Sequence, residues 1–333
     1  MQFDQLRRRE FITLLGGAAA TWPLRAQAQQ PSMPVIGYLS TRSLGDSALI
    51  VAAFRKGLHE VGYTEGRNVA IEFRFAEGHH DRLQALTADL VRRQVNVFVA
   101  TGGTASAVAA KPIVPATIPM VFAMGGDPVK LGIVDGLARP GGNVTGISFL
   151  VSEMAAKHVQ LLNELAPKTA VIGFLANPNN PNLASAATEA QKAADMLSLK
   201  LVVVNASAER DFDSAFTTLV QQRVDSLFVE VDPFFTDQRA RIAALAARHA
   251  LPSIYALREF VDAGGLMSYG TSITDANRQL GVYTGRVLKG TKPAELPVMQ
   301  STIFELVINL KAAKALGLEV PTSILLRANE LIE

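Results

Sequence analysis

Short apolar segments occur twice along this chain in the same order, and any fold it adopts must accommodate both copies. Pro34-Val-Ile-Gly-Tyr-Leu39 returns as Ala170-Val-Ile-Gly-Phe-Leu175, and Gln94-Val-Asn-Val-Phe-Val99 returns as Arg223-Val-Asp-Ser-Leu-Phe228. Thr117-Ile-Pro-Met-Val-Phe-Ala-Met124 is matched by Ala250-Leu-Pro-Ser-Ile-Tyr-Ala-Leu257. Gly141-Gly142 precedes Val144-Thr-Gly-Ile-Ser148 as Gly264-Gly265 precedes Leu266-Met-Ser-Tyr-Gly270. One match is within reach of chance. Four in the same order predict two similar α/β lobes.

Within the first copy, Val35–Leu39, Val69–Phe75, Val97–Ala100 and Met120–Ala123 are short apolar runs that read as buried strands. Ala48–Val61 has apolar residues at helical spacing and stops at Gly62. Asp81 opens a second helix, a short one follows Thr104, and Val129–Ala138 reads as a fourth. This alternation predicts a parallel sheet covered by helices on both faces. The 333 residues are enough for two such lobes, each with its own core.

The first thirty residues have a different character. Arg7-Arg8-Arg9 leads into an apolar, small-residue run from Phe11 to Leu24, followed by Arg25 and Ala26-Gln27-Ala28. A basic segment, a short apolar segment and an A-x-A site are the parts of a secretory signal, and the run is too short for a membrane helix. Arg8, Arg9 and Phe11 resemble a twin-arginine export signal, so residues 1–28 are expected to be a leader cleaved after Ala28. No Cys follows that could carry a lipid, and a periplasmic protein without a membrane anchor is expected. The leader also explains the charge. The whole chain has 32 basic and 30 acidic residues, but the part after Ala28 has 28 of each. Nucleic acid is therefore not an expected partner. With no Cys, disulfides, thiol nucleophiles and Cys-ligated metals are excluded, and no cofactor is expected.

In open parallel sheets ligands sit beyond the carboxyl ends of the strands, so two facing lobes would enclose a cleft lined by those loops. Ser40 and Thr41 would offer hydroxyl and helix N-terminal N–H groups to a solute carboxylate, or simply cap the first helix. Thr101, Gly102 and Gly103 hold the same place after the third strand. Asp127 and Asp232 each stand before a proline and a helix start, and read equally as helix caps and as ligand contacts. Asn177 belongs to the matching loop of the second lobe. Tyr255 and Tyr269 are candidates to stack on a planar ligand, whereas Tyr38, inside a strand, reads as core. Arg42 or Arg258 would fork a carboxylate or lie as solvated rim charges. Phe234-Phe235 reads as an apolar clamp or as a buried helix face. His79-His80-Asp81 reads as an exposed loop with Asp81 as helix cap, since adjacent side chains do not converge on one metal ion. No nucleophile elbow, P-loop or complete dinucleotide fingerprint is present.

The mature chain resembles the solute-binding proteins of ABC importers with the type I periplasmic binding fold, and in particular their tryptophan-binding-like branch. The resemblance rests on Val35-Ile-Gly-Tyr-Leu39, Gly62-Tyr63, Glu65-Gly-Arg-Asn-Val-Ala-Ile-Glu72, Asp127-Pro128 and Arg139-Pro-Gly-Gly-Asn-Val-Thr-Gly146. Asn177-Pro178 and Val307-Ile-Asn-Leu-Lys-Ala-Ala-Lys-Ala-Leu-Gly317 extend it to the end. It implies two Rossmann-like lobes joined by a three-crossover hinge, with residues 33–148 plus 271–300 in one lobe and 149–270 plus 301–330 in the other. It also implies a monomer that captures a small solute, such as an amino acid or another small carboxylate, by hinge closure. The partners would be ABC permease and ATPase subunits, after export by the twin-arginine machinery. A sensor presenting solute to a chemoreceptor or kinase is the alternative use of such a fold, and a periplasmic enzyme the third.

Overall fold

Each copy of the repeat builds one sheet. The structure, a computed structural model, describes residues 33–149 and 151–333, so the expected leader lies outside the described residues. The first copy runs β1 (Val35–Ser40), α1 (Ala48–Glu60), β2 (Ala70–Phe75), α2 (Leu83–Arg92), β3 (Val97–Thr101), α3 (Thr104–Ala110), β4 (Met120–Met124) and β5 (Val144–Ser148). The second begins with α4 (Val151–Leu165), β6 (Val171–Ala176), α5 (Leu183–Met196), β7 (Lys200–Asn205), α6 (Asp211–Gln221) and β8 (Ser226–Val229). It continues through α7 (Pro233–Asp237), α8 (Arg239–Arg248), β9 (Ser253–Tyr255), α9 (Arg258–Asp262) and β10 (Met267–Thr271). Last come α10 (Ile273–Leu288), β11 (Met299–Gln300), β12 (Phe304–Asn309), α11 (Leu310–Ala315), α12 (Thr322–Leu325) and β13 (Glu330–Ile332).

The strand orders are β11-β5-β4-β3-β1-β2 and β13-β12-β10-β9-β8-β6-β7. The four sequence matches therefore fall on strands in equivalent positions: β1 with β6, β3 with β8, β4 with β9, and β5 with β10. Apolar side chains on these strands alternate between the two faces of each sheet. On β4, Met120, Phe122 and Met124 pack into one core while Val121 and Ala123 pack into the other.

One pairing departs from the expected parallel arrangement: β10 and β12 are antiparallel. Only residues 301–303 separate β11 from β12, so the chain enters the second sheet at its hinge end and must run back along β10. The chain passes between the sheets three times, after β5, after β10 and after β11. The second passage carries α10 back to the first lobe, where it crosses α1 at very short range. A Cβ added at Gly57 would collide with the Arg278 carbonyl, and one at Gly281 with the Phe54 carbonyl. The crossing needs glycine on both helices.

The helix expected over Val129–Ala138 does not form, and that segment is a series of turns. Asp127 Oδ1 accepts from the N–H groups of Val129 and Lys130, which starts a single turn. Gly132 then adopts φ +66°, which a right-handed helix cannot continue through. No helix among the described residues is long and apolar enough to cross a membrane.

Candidate ligand-binding cleft

The carboxyl ends of the strands from both sheets converge on one cavity. From the first sheet it takes Arg42 after β1, His80 after β2, Thr101 to Ala105 at the β3–α3 junction, Gly125 after β4 and Phe149 after β5. From the second it takes Asn180 to Asn182 after β6, Val231 to Pro233 and Thr236 around the start of α7, Ala256-Leu257 after β9 and Thr271 at the end of β10. Ile50 on α1, Met154 on α4, and Ile273 and Asn277 on α10 complete it. Most of the wall's exposed surface is apolar, with polar side chains set into it. Such a lining is that of a small-molecule site.

Four polar atoms on this wall are buried without a hydrogen-bond partner: Asp232 Oδ2, Arg42 Nε, His80 Nε2 and Thr271 Oγ1. Buried polar groups in folded proteins are normally paired, and leaving one unpaired costs about 1–3 kcal/mol. A ligand that paired with these atoms would supply donors to the carboxylate and acceptors to the guanidinium.

Asp232 is set by its neighbours. Its Oδ1 accepts from the N–H of Phe234 at 2.9 Å and of Phe235 at 3.3 Å, capping α7, and from Asn177 Nδ2 at 3.1 Å. Those bonds fix the carboxylate so that Oδ2 is left over. Capping, one of the two roles the sequence left open, occupies Oδ1 and leaves Oδ2 without a partner. Burial pushes the Asp232 carboxyl up, while the Asn177 amide opposes that shift. A second carboxyl stands behind it. Glu230 is 3% exposed, and its Oε2 accepts from the Asn177 N–H at 2.8 Å. Burial raises Glu230 to about 9 against this hydrogen bond, and the nearby Asp232 charge adds to the rise.

This has a consequence for stability. Glu230 is held protonated in the folded chain but ionises near 4.5 when unfolded, so folding takes up a proton between those two values. Stability is then lost as pH rises from about 4.5 to about 9, by up to about 1.4 kcal/mol per pH unit from this group. Glu230→Gln, which mimics the protonated carboxyl, should flatten that slope and raise the melting temperature at pH 8. Thermal unfolding of both proteins between pH 5 and 9 checks this, and parallel curves would show that Glu230 is ionised in the fold.

The two lobes touch over the cleft. Arg42, 4% exposed, donates through Nη2 to Glu259 Oε1 at 2.6 Å, and Arg239 pairs with Asp46 at 2.6 Å. Asn182 Nδ2 donates to Thr104 Oγ1 at 3.0 Å. A Cβ on Gly103 would lie 2.7 Å from Pro233 Cγ of the opposite lobe. These contacts tie the loops after β1 and β3 to those after β6, β8 and β9.

Of the residues singled out from sequence, Thr101, Gly102, Gly103 and Asp232 line this cavity, as does Arg42. Thr101 Oγ1 donates to Asn277 Oδ1 at 3.3 Å. The others lie elsewhere. Ser40 Oγ accepts from the Arg42 N–H and Thr41 Oγ1 donates to the Gly102 carbonyl, so both brace the loops from behind. Asn177 orients Asp232 and lines an adjoining polar cavity with His79, His80 and Ser207. Asp127 is spent on its own turn and on Lys130, at 3.7 Å. Tyr255 is fully buried, stacked on Phe260 at 4.5 Å, with its hydroxyl accepting from Ser253. Tyr269 stacks on Phe304 at 6.0 Å, away from the cavity. Arg258 is bound to Glu330 and Asp262. Phe235 is core, and the half-buried Phe234 stacks on Phe212, so the pair packs on its own lobe and does not line this cavity.

The His79-His80-Asp81 loop also differs from expectation. It forms a 3-10 turn over His80–Arg82, with His79 rather than Asp81 at the cap position. His80 points to the cavity while its neighbours on both sides are exposed. Phe149, Met154, Thr271, Ile273 and Asn277 were not anticipated either. They come from the crossover segments, whose strand or helix pattern does not reveal which lobe each faces. Among the described residues no group of three or more His, Asp or Glu is placed to hold a metal ion.

Comparison with known proteins follows the same lines. Residues 35–332 match the family model described as ABC transporter substrate binding protein. The chain is 27% identical over 266 residues to a tyrosine-binding protein of Clostridioides difficile (strain R20291), covering 80% of this chain and 76% of that one. It superposes with a TM-score of 0.79 on a Streptococcus pneumonia ABC domain solved in complex with L-Trp, at 28% identity over 90% of this chain and all of the other. A ligand-free, open substrate-binding protein with adhesive properties from Clostridium difficile gives 0.66 at 25% identity, covering 90% of this chain and 99% of that one. The two-lobed α/β fold is that of the type I periplasmic binding proteins, and the chain belongs to the ABC transporter substrate-binding protein family.

Proposed function

We propose that this chain is an extracytoplasmic receptor for an α-amino acid with an apolar, preferably aromatic, side chain, and that it delivers this ligand to an ABC importer. The observation that carries the reading is that Asp232 Oδ2 and Arg42 Nε, two buried atoms of opposite demand, both lack partners on residues lining one apolar cavity. An ammonium satisfies the first and a carboxylate the second. The ligand's side chain would lie among Ile50, Phe149, Met154, Leu257 and Ile273. Relatives that bind tyrosine and L-Trp support the same class of ligand.

In this reading the lobes move as two bodies, 33–148 with 271–300 and 149–270 with 301–330, about the three passages between the sheets. Ligand enters the open form and is enclosed when the interlobe contacts form. The basic and then apolar residues 1–28 support export to a periplasm through a twin-arginine route. The equal numbers of basic and acidic residues after Ala28 leave recognition to local cleft groups, with no long-range steering. In this reading the ligand is carried unchanged.

A thermal-shift screen of the common amino acids, small aromatic acids, sugars and divalent cations tests the ligand class. At about a hundredfold excess over Kd, a true ligand adds about 2.7 kcal/mol of stability. Apolar and aromatic L-amino acids should give the largest shifts. Stabilisation by sugars or cations, with none from amino acids, would sink the proposal. Ligand-dependent stimulation of the reconstituted importer's ATPase tests delivery.

A further inference from the structure

Asp232 accounts for one of the three N–H groups of a bound ammonium, and the structure offers a second acceptor from the other lobe. His80 sits in the 3-10 turn that leaves β2 of the first sheet, whereas Asp232 follows β8 of the second. Both line the same cavity. His80 Nε2 and Asp232 Oδ2 are each buried without a partner and do not pair with each other. His80 is half-buried with its Nε2 buried, and it lines the cavity together with the buried carboxylate; a ligand group in that cavity that bonds to both atoms would satisfy both. A primary ammonium carries three donors, and a neutral imidazole nitrogen is an acceptor. Neither a hydroxyl nor a carboxylate serves both atoms as well, since the first has one hydrogen and the second none.

We infer that His80 is a ligand-binding residue that takes a second N–H of the ligand's ammonium, so that this one group is held from both lobes at once. The inference rests on the amino-acid reading above. It gives the ammonium a mechanical role: binding to Asp232 alone can occur in the open form, but the bond to His80 forms only when the lobes meet. Ligand amine and closure are thereby coupled through a single side chain. Such differential contact is what allows a ligand to shift a conformational equilibrium. The neighbouring charged groups do not supply the same link. Arg42 is bound to Glu259, and Asp46 to Arg239.

The test is a comparison of variants across paired ligands. The full chain, His80→Ala, His80→Gln and Asp232→Asn are titrated calorimetrically with L-tryptophan, L-tyrosine, L-phenylalanine and L-leucine, each beside its des-amino acid. His80→Ala should weaken the amino acids about tenfold and leave the des-amino acids unchanged, while His80→Gln, which keeps an acceptor, should recover part of the loss. An equal loss for both ligand types would show His80 to be packing only and would overturn the inference, as would no loss for either. If Asp232→Asn discriminates between paired ligands and His80→Ala does not, the amino-acid reading stands and the role of His80 falls. If the wild-type chain binds none of the four amino acids, both fall together. Melting curves of the free variants separate a binding defect from a folding one.

Discussion

Asp232→Asn should weaken amino-acid binding by about a hundredfold or more, while the free protein melts at the same temperature or higher. Removing one member of a buried charged pair costs about 2–5 kcal/mol of binding, because the other charge is left without its counterpart. The expected gain in the free protein comes from the same source. The carboxylate is buried, 1% exposed, with one oxygen unsatisfied, and Asn removes that buried charge. Asn also keeps an oxygen to accept from Phe234 and Phe235, and it is as good a helix cap as Asp. Calorimetric titration and thermal melts of both proteins measure the two effects. A variant that binds as tightly as the wild type would show that the ammonium is held elsewhere.

The second large effect should come from a residue that does not line the cavity. Gly126 follows β4, and its N–H donates to Thr104 Oγ1 at 2.9 Å. A Cβ there would lie 2.5 Å from Asn182 Oδ1 of the opposite lobe, and 2.8 Å from Leu131 Cδ1 of its own. Leu131 is partly buried at the edge of its core, and its methyl can shift. Asn182 is held by its bond to Thr104 and is nearly fully buried, so the lobes would have to part slightly. Overpacking of this kind costs about 1–3 kcal/mol, here charged mainly to the closed form. Apparent affinity falls with the closed population, so Gly126→Ala should weaken binding about 5- to 100-fold. Small-angle scattering of the liganded variant should show a larger radius of gyration than that of the liganded wild type. Unchanged affinity would mean that closure does not pass through the Thr104–Asn182 contact.

How much of this was legible in the sequence differs from residue to residue. The repeat placed the strands well, because a fully buried parallel strand must be a short apolar run and little else in the chain imitates one. It also located the β3–α3 loop and Asp232, since glycines and a cap before proline mark the points where strand ends meet helix starts. Side-chain direction at those ends was harder to see. Tyr255 is the last residue of β9, and the twofold alternation of the strand turns it into the core beside Phe260 rather than into the cleft. Asp127 carries the same local signal as Asp232. Its turn, however, ends at Gly132, and the carboxylate is used up on its own backbone. His80 was hidden for a related reason. In a 3-10 turn successive residues point about 120° apart, so one of three neighbours faces inward while the others stay in solvent. Phe149, Met154, Ile273 and Asn277 depend on three-dimensional passages between lobes, and no local pattern encodes those.

The most direct measurement is calorimetric titration of the wild-type chain with the amino acid that stabilises it most. Beside it go the des-amino acid and the decarboxylated amine of the same side chain. A cleft that satisfies Asp232 with an ammonium and Arg42 with a carboxylate should bind the zwitterion at least about thirtyfold more tightly than either truncated form. A des-amino acid that binds as tightly as the parent amino acid would contradict the account at its centre.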